Sequence, residues 1–189
     1  MKKKPNPQGK GLSPILTGLA YVQPRRQIPA KHIQQISNEL FTSLFVLSAR
    51  FDFRPVRGKS YWLYEKESKF RLFTIAPTHW SGKAPGRYIG ECILQDDMTW
   101  TIDLDESLSE ASWFNELLEQ ERQKVNISLQ QSSTLEDAMP VYLDKLPYYR
   151  RLLAYGLGLS LKTSMEKAGI KQLAYKEAAT LLMYDKKCE

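Results

Sequence analysis

An α+β fold is predicted for this chain of 189 residues, with an N-terminal arm and helix, a four-stranded antiparallel meander sheet, and a C-terminal helical bundle packing on the sheet. Three features predict it. Proline and glycine break up the first thirty residues; apolar residues then recur at three- and four-residue steps; and between Ser60 and Asp103 the pattern changes to short aromatic and β-branched runs before helical spacing returns.

In chain order, Pro5, Pro7, Gly9, Gly11, Pro14, Pro24 and Pro29 exclude a long regular element before residue 30. Leu12, Ile15, Leu16, Leu19 and Tyr21 make this arm too apolar for a free tail, so it is expected to be partly pinned to the domain. Ile33, Ile36, Leu40, Phe41, Leu44 and Leu47 then form one stripe of an amphipathic helix over residues 30–49, which Asp52, Pro55 and Gly58 terminate.

Strands are read at Tyr61–Glu65, Phe70–Ala76, Tyr88–Gln95 and Thr99–Asp103. The first two are joined by a four-residue hairpin, Lys66 to Lys69, and the last two through Asp96 and Asp97. Alternation places Met98, Trp100 and Ile102 on one face and Thr99, Thr101 and Asp103 on the other. Pro77 to Gly86 is the one longer loop. Ser107 with Glu110 and Ser133 with Glu136 read as capping boxes, and helices are expected near 108–131, 134–145, 147–167 and 174–184. The chain thus divides into a basic arm (1–29), a helix-plus-sheet unit (30–104) and a helical region (105–189) expected to pack as one body with that unit.

Hydrophobic residues make up 42% of the chain and aromatic residues 11%, enough for a sizeable core, which excludes wholesale disorder. The net charge of +6 is unevenly spread: residues 1–60 hold eleven Lys/Arg against two acids, whereas residues 101–140 hold two against nine. Docking of the acidic stretch on a basic part of the same molecule is the simplest consequence. Cys92 and Cys188 make neither a disulfide framework nor a metal-ligand spacing, which suits a reducing compartment. No stretch approaches a membrane span, and Pro5 to Gly11 stand where the apolar part of a signal peptide would follow Lys2, Lys3 and Lys4, so a cytoplasmic location is expected.

Catalytic chemistry is hard to assemble, because only His32 and His79 titrate near neutrality and neither adjoins a nucleophile motif. His32 begins a helix and is read as a surface residue. Asp96 and Asp97 are adjacent and point apart, so they are turn residues. Gly9-Lys10-Gly11 and Gly82-Lys83 are incomplete phosphate loops. No catalytic residue, metal or cofactor is expected. The favoured reading is a non-enzymatic cytosolic binding or adaptor protein that contacts a protein partner through the basic arm (Lys10, Arg25, Arg26), Trp62 and the His79-Trp80 loop; against a binding role for that loop stands the simpler reading in which Trp80 folds down as a hydrophobic plug and His79 is left in solvent. RNA or ribosome association is the first alternative: Lys2, Lys3, Lys4, Lys10, Arg25, Arg26, Lys31, Arg54, Arg57 and Lys59 would meet phosphates and Trp62, Tyr64, Phe73, Tyr88 and Trp100 would stack on bases. The second alternative is an enzyme in which His79 works with Asp97 or Glu91.

Tyr61-Trp62-Leu63-Tyr64-Glu65, then Phe73-x-Ile75-x-Pro77-x-x-Trp80, then Ile89-Gly90-x-x-x-Leu94-Gln95-x-Asp97-x-Thr99-Trp100 resembles an uncharacterised conserved domain with bacterial and animal members, domain of unknown function 2452. The opening Asn6-Pro7-Gln8-Gly9-Lys10-Gly11-Leu12-x-Pro14 is similar to its bacterial branch. The resemblance spans residues 6–185 for that branch and 30–104 for the wider family. It implies a small intracellular protein with a hairpin sheet, and it carries over no activity, cofactor or catalytic residue.

Overall fold

A computed structural model describes residues 18–23, 27–131 and 147–169 of the chain. The apolar stripe after Pro29 forms helix α1, Ile33–Ser48. Ile36, Leu40, Phe45, Val46 and Leu47 are buried on its inner side, and His32, just before it, is exposed as expected. Helix α1 ends where Ala49 turns to extended backbone, and Arg150 from a distant helix caps it by donating from Nη1 to the carbonyls of Leu47 at 3.4 Å and Ala49 at 3.1 Å.

Four strands follow: β1 (Ser60–Lys66), β2 (Lys69–Phe73), β3 (Arg87–Leu94) and β4 (Trp100–Leu104). All neighbouring pairs are antiparallel, and the expected α+β class with a four-stranded sheet is present. The strand order differs from a meander. It is β2-β1-β3-β4, because the loop after β2 crosses back over β1 and delivers β3 to its other side. The first hairpin is also tighter than four residues: Lys66 pairs with Lys69, and the two residues between them, Glu67 and Ser68, both take positive φ, the signature of a mirror-type turn. Arg50 adds a parallel bridge to Arg71 and covers part of the free edge of β2.

The β3-β4 turn corrects a further expectation. Met98 does not extend β4; it sits at φ 71° closing a turn in which Gln95 N–H donates to the Thr99 carbonyl at 2.8 Å. A methionine in this region costs about 1–2 kcal/mol. Burial of its side chain in the core, where it is 1% exposed, offsets that cost. Trp100 faces the helices and is buried, so it is not available to stack on bases as the RNA alternative required, and its backbone N–H donates to Ser43 Oγ of α1 at 2.9 Å.

Helix α2 is Ser112–Gln131 and helix α3 is Tyr148–Lys167. Ser107 and Glu110 do not cap α2. Asp105 instead accepts from Ser107 N–H at 3.0 Å and caps a short 3₁₀ turn, Glu106–Leu108, that precedes the helix. The expected helices at 134–145 and 174–184, and the Ser133–Glu136 box, lie outside the described residues. Helix α1 covers the sheet and α3 lies chiefly against α1, so the helices are layered rather than all seated on the strands. One apolar cluster runs from Val22 through both layers to Leu161.

Residues 18–23 of the arm are pinned, as the arm's composition implied. Tyr21 donates its hydroxyl to the Pro55 carbonyl, Arg54 lies 3.7 Å from the Tyr21 ring centroid, and Arg57 donates to the carbonyls of Tyr21 and, at 2.6 Å, Gln23. Gly156 of α3 permits the close approach: a Cβ there would stand 2.9 Å from the Val22 side chain and backbone.

Lys31 is 8% exposed, with Nζ 2.6 Å from Glu39 Oε2 and 2.7 Å from Asp97 Oδ2, so it ties the segment before α1 to the helix and to the β3-β4 turn. Burial opposes both charges at this contact. The hydrogen bonds and the opposite charges outweigh it, holding the Asp97 carboxyl below its ordinary range and raising the Lys31 ammonium above its own. The depressed Asp97 therefore adds stability that is complete above its unfolded value of about 3.9 and is lost as pH falls through the folded one. The raised Lys31 adds stability below about 10.4 that is lost as pH rises through its folded value. Lys31→Ala is expected to lower the unfolding free energy by about 2–4 kcal/mol at neutral pH, because it strands two carboxylates. In urea titrations the gap from wild type should narrow below about pH 4 as Asp97 protonates; a gap of equal size at pH 7 and pH 3 would refute the assignment.

Candidate functional site

Cross-strand partners project from the same face of a sheet, so the register sorts every side chain. Tyr61, Leu63, Leu72, Cys92, Leu94 and Trp100 face the helices and are buried. Trp62, Tyr64, Phe73, Tyr88, Glu91, Ile93, Thr101 and Asp103 face the other way. Trp62 stands between Phe73 of β2 and Glu91 of β3, and is half-buried.

The loop before β3 closes over one end of this outer face. A 3₁₀ turn, Pro77–His79, drops Trp80 onto the sheet, where its Nε1 donates to the Tyr64 hydroxyl at 2.9 Å. Tyr64 packs edge-on against Phe73 and Trp80 at centroid distances of 5.6 and 6.0 Å, and its ring lies 5.6 Å from that of Tyr88. Trp80 thus folds down as expected, and His79 is exposed. Burial raises the Tyr64 phenol against the lowering effect of the Trp80 hydrogen bond. The Tyr88 phenol is pushed up to about 12, first by burial and then by the nearby charges of Glu91 and Asp105. Both rings are neutral at physiological pH.

Beyond the rings lie two carboxylates. Glu91 of β3 pairs directly with Asp103 of β4, and neither makes a hydrogen bond or ion pair among the described residues. Gly90 brings these strands together: a Cβ at that position would stand 2.3 Å from the Asp103 carbonyl oxygen. Like charges directly opposed on a sheet are destabilising.

A concavity of about 730 Å³ lies at the far end of the β1-β2 hairpin, between Glu65–Ser68, the Lys83–Arg87 stretch, and Trp113 and Glu116 of α2. Arg87 holds its guanidinium 4.2 Å from the Trp113 ring centroid. Acids and bases of both signs line it, with no histidine or cysteine, so it offers polar contacts and no proton carrier for neutral pH.

Of the sequence-derived site residues, the structure brings Trp62 and Trp80 to the same face and leaves His79 at its border. Lys10, Arg25 and Arg26 lie outside the described residues. Three cations read as available for phosphates are engaged within the molecule: Lys31 in its double ion pair, Arg54 on the Tyr21 ring and Arg57 on the arm carbonyls. The proposed pairing of His79 with Asp97 fails. The His79 loop and the Asp97 turn lie at opposite ends of β3, about 20 Å of strand apart, and Asp97 is occupied by Lys31 and Thr99. Cys92 is a core residue whose thiol is pushed up to about 12 by burial and the Glu91 charge, which makes it inert. The Glu91–Asp103 pair was missed in the sequence. Alternation alone puts Asp103 on the outer side, but only the pairing register sets Glu91 opposite it.

Fold and site together define an α+β protein whose antiparallel sheet is covered by helices on one face and presents rings and carboxylates on the other. Residues 30–120 match the model of a family described as "Protein of unknown function (DUF2452)". The match takes in α1, the whole sheet and the first half of α2. No solved structure matches the chain. Among the described residues no helix is long and apolar enough to cross a membrane.

Two stability changes test this geometry. Glu91→Gln removes the opposed charge and is expected to raise stability by about 0.2–1 kcal/mol, an increase of roughly 1–3 °C in calorimetric Tm. A lower Tm would show that Glu91 has a stabilising partner. Tyr64→Phe strands the Trp80 Nε1 donor and should cost about 1 kcal/mol in denaturant unfolding, with a change in Trp80 fluorescence; an unchanged midpoint would refute the anchoring role of that bond.

Proposed function

We propose that this chain is a non-enzymatic, cytoplasmic binding or adaptor protein whose contact surface is the outer face of the sheet, bordered by the His79-Trp80 loop and supplemented by Lys10, Arg25 and Arg26 of the arm. The observation that carries the reading is the uneven treatment of the two faces. One is sealed by α1. The other holds Trp62, Phe73, Tyr88 and Trp80 half-buried, with Trp80 fixed by its bond to Tyr64. Large rings held rigidly and left partly wet are the groups that supply most energy at protein contacts, because ordering them on binding costs little. Burial of Lys31 in its double ion pair and the bonds of Arg57 to the arm carbonyls, together with two carboxylates on the ring face that make no hydrogen bond or ion pair among the described residues, favour a protein partner over RNA.

The test is site-directed photo-crosslinking in cells, with p-benzoylphenylalanine placed at position 62, at position 88, or at position 124 on α2 as the control. Positions 62 and 88 are expected to give the same discrete, nuclease-resistant protein adduct, absent from position 124. Adduct patterns no different from the control would end the reading, and a nuclease-sensitive adduct would transfer it to RNA.

A further inference from the structure

We propose that the outer face recognises an extended segment of a partner protein bearing lysine or arginine, and that it seats the cationic group between Glu91 and Asp103 with the aliphatic stem over Trp62. The inference rests on the outer face being the contact surface and names the chemistry of its partner. Its first support is the carboxylate pair itself. Glu91 and Asp103 are direct cross-strand partners, and among the described residues no cation answers either of them. The face's own arginine, Arg71, is on β2 opposite Tyr64, two strand spacings or about 10 Å from β3. Arg87, at the start of β3, is turned to Trp113. A cation from outside would meet two carboxylates that no cation among the described residues answers.

The second support is the surroundings of the pair. Trp62 is the cross-strand neighbour of Glu91 on β1, and Tyr88 is the next outward-facing residue of β3 toward the loop, its ring neutral. A carboxylate pair flanked by π faces suits a cationic head on a long apolar stem: the head meets the charge, while the methylenes lie on the indole. A polyanion would be repelled at the same spot. In the other direction along the strands, one residue pair further, stand Ile93, Ser60 and Thr101. An extended peptide repeats its side-chain direction every second residue, so the preferred segment has a basic residue two positions from a small apolar one.

The experiment uses the full chain and the peptide acetyl-Gly-Lys-Ser-Val-Ser-Lys-Gly-amide, with a second peptide in which both lysines are glutamine. Binding is followed by amide chemical shifts and Trp fluorescence. The lysine peptide is expected to shift Trp62, Glu91, Ile93 and Thr101 and to weaken as salt rises. The Glu91→Gln/Asp103→Asn double variant should bind it about tenfold less tightly, the effect of losing a charge-assisted contact. Equal binding of both peptides, or an unchanged affinity in the double variant, would overturn cation recognition while leaving the face a contact surface. Silence from both peptides alongside adducts at position 62 would do the same. Binding that emerges only when residues 1–17 are removed would identify the chain's own arm as the occupant and overturn the assignment to a partner.

Discussion

Helix α1 has to lie on one face of the sheet and nowhere else, and the constraint is set by two contacts at the β3-β4 end. Ser43 Oγ accepts the Trp100 backbone N–H, which would otherwise be an unpaired donor on a free strand edge, and Lys31 joins Asp97 of the turn to Glu39 of the helix. Both contacts are polar, largely excluded from water and set by register, so a shift of α1 by one turn would leave a buried donor and a buried charge without partners. Apolar burial alone does not select one position along a helix this sharply. Once α1 is fixed, Arg150 has its carbonyls to cap, α3 has a surface to lie on, and Gly156 meets Val22 of the arm.

This arrangement changes the meaning of the positive charge in the first third of the chain. Basic residues clustered in sequence suggested an electrostatic surface, yet Lys31, Arg54 and Arg57 act as internal fasteners: one as an ion-pair hub, one over an aromatic ring and one as a donor to backbone carbonyls. Arginine suits the last two tasks because its planar fork stacks and donates at once. Composition counts charges without regard to whether their partners lie a few residues away or across the fold.

Much of the fold was legible because it is periodic. The stripe from Ile33 to Leu47 and the alternation from Trp100 to Asp103 are local patterns, and the observed α1 and β4 begin and end within three residues of their expected limits. What was not legible is non-local or conformational. Whether β3 docks beside β2 or beside β1 is decided by long-range pairing, which no window of sequence contains. The turns at Glu67-Ser68 and Met98 adopt positive φ without the glycine or asparagine that announces such turns. Asp97 looked like a turn residue and is one, but its counter-ion stands 66 residues earlier. At the candidate site, Trp62 and Trp80 were accessible to reasoning from loop and strand placement, whereas Glu91 and Asp103 become a pair only through the register.

The two faces of the sheet also obey different rules of consistency. On the covered face Tyr61, Leu63, Phe70, Leu72, Cys92, Leu94 and Trp100 are buried and packed, and two costly features of the same core, Met98 in a strained backbone and Lys31 out of water, are compensated by burial or by ion pairs. On the outer face the opposed carboxylates have no such compensation among the described residues, although glutamine or asparagine would remove the conflict without altering the strands. Local choices in a natural sequence tend to agree with the global fold, and an uncompensated departure is expected where something other than folding sets the residue type. The departure here lies on the uncovered face, beside rings anchored from below. A fold that needed only solubility from these two positions would gain it equally from charges placed out of register.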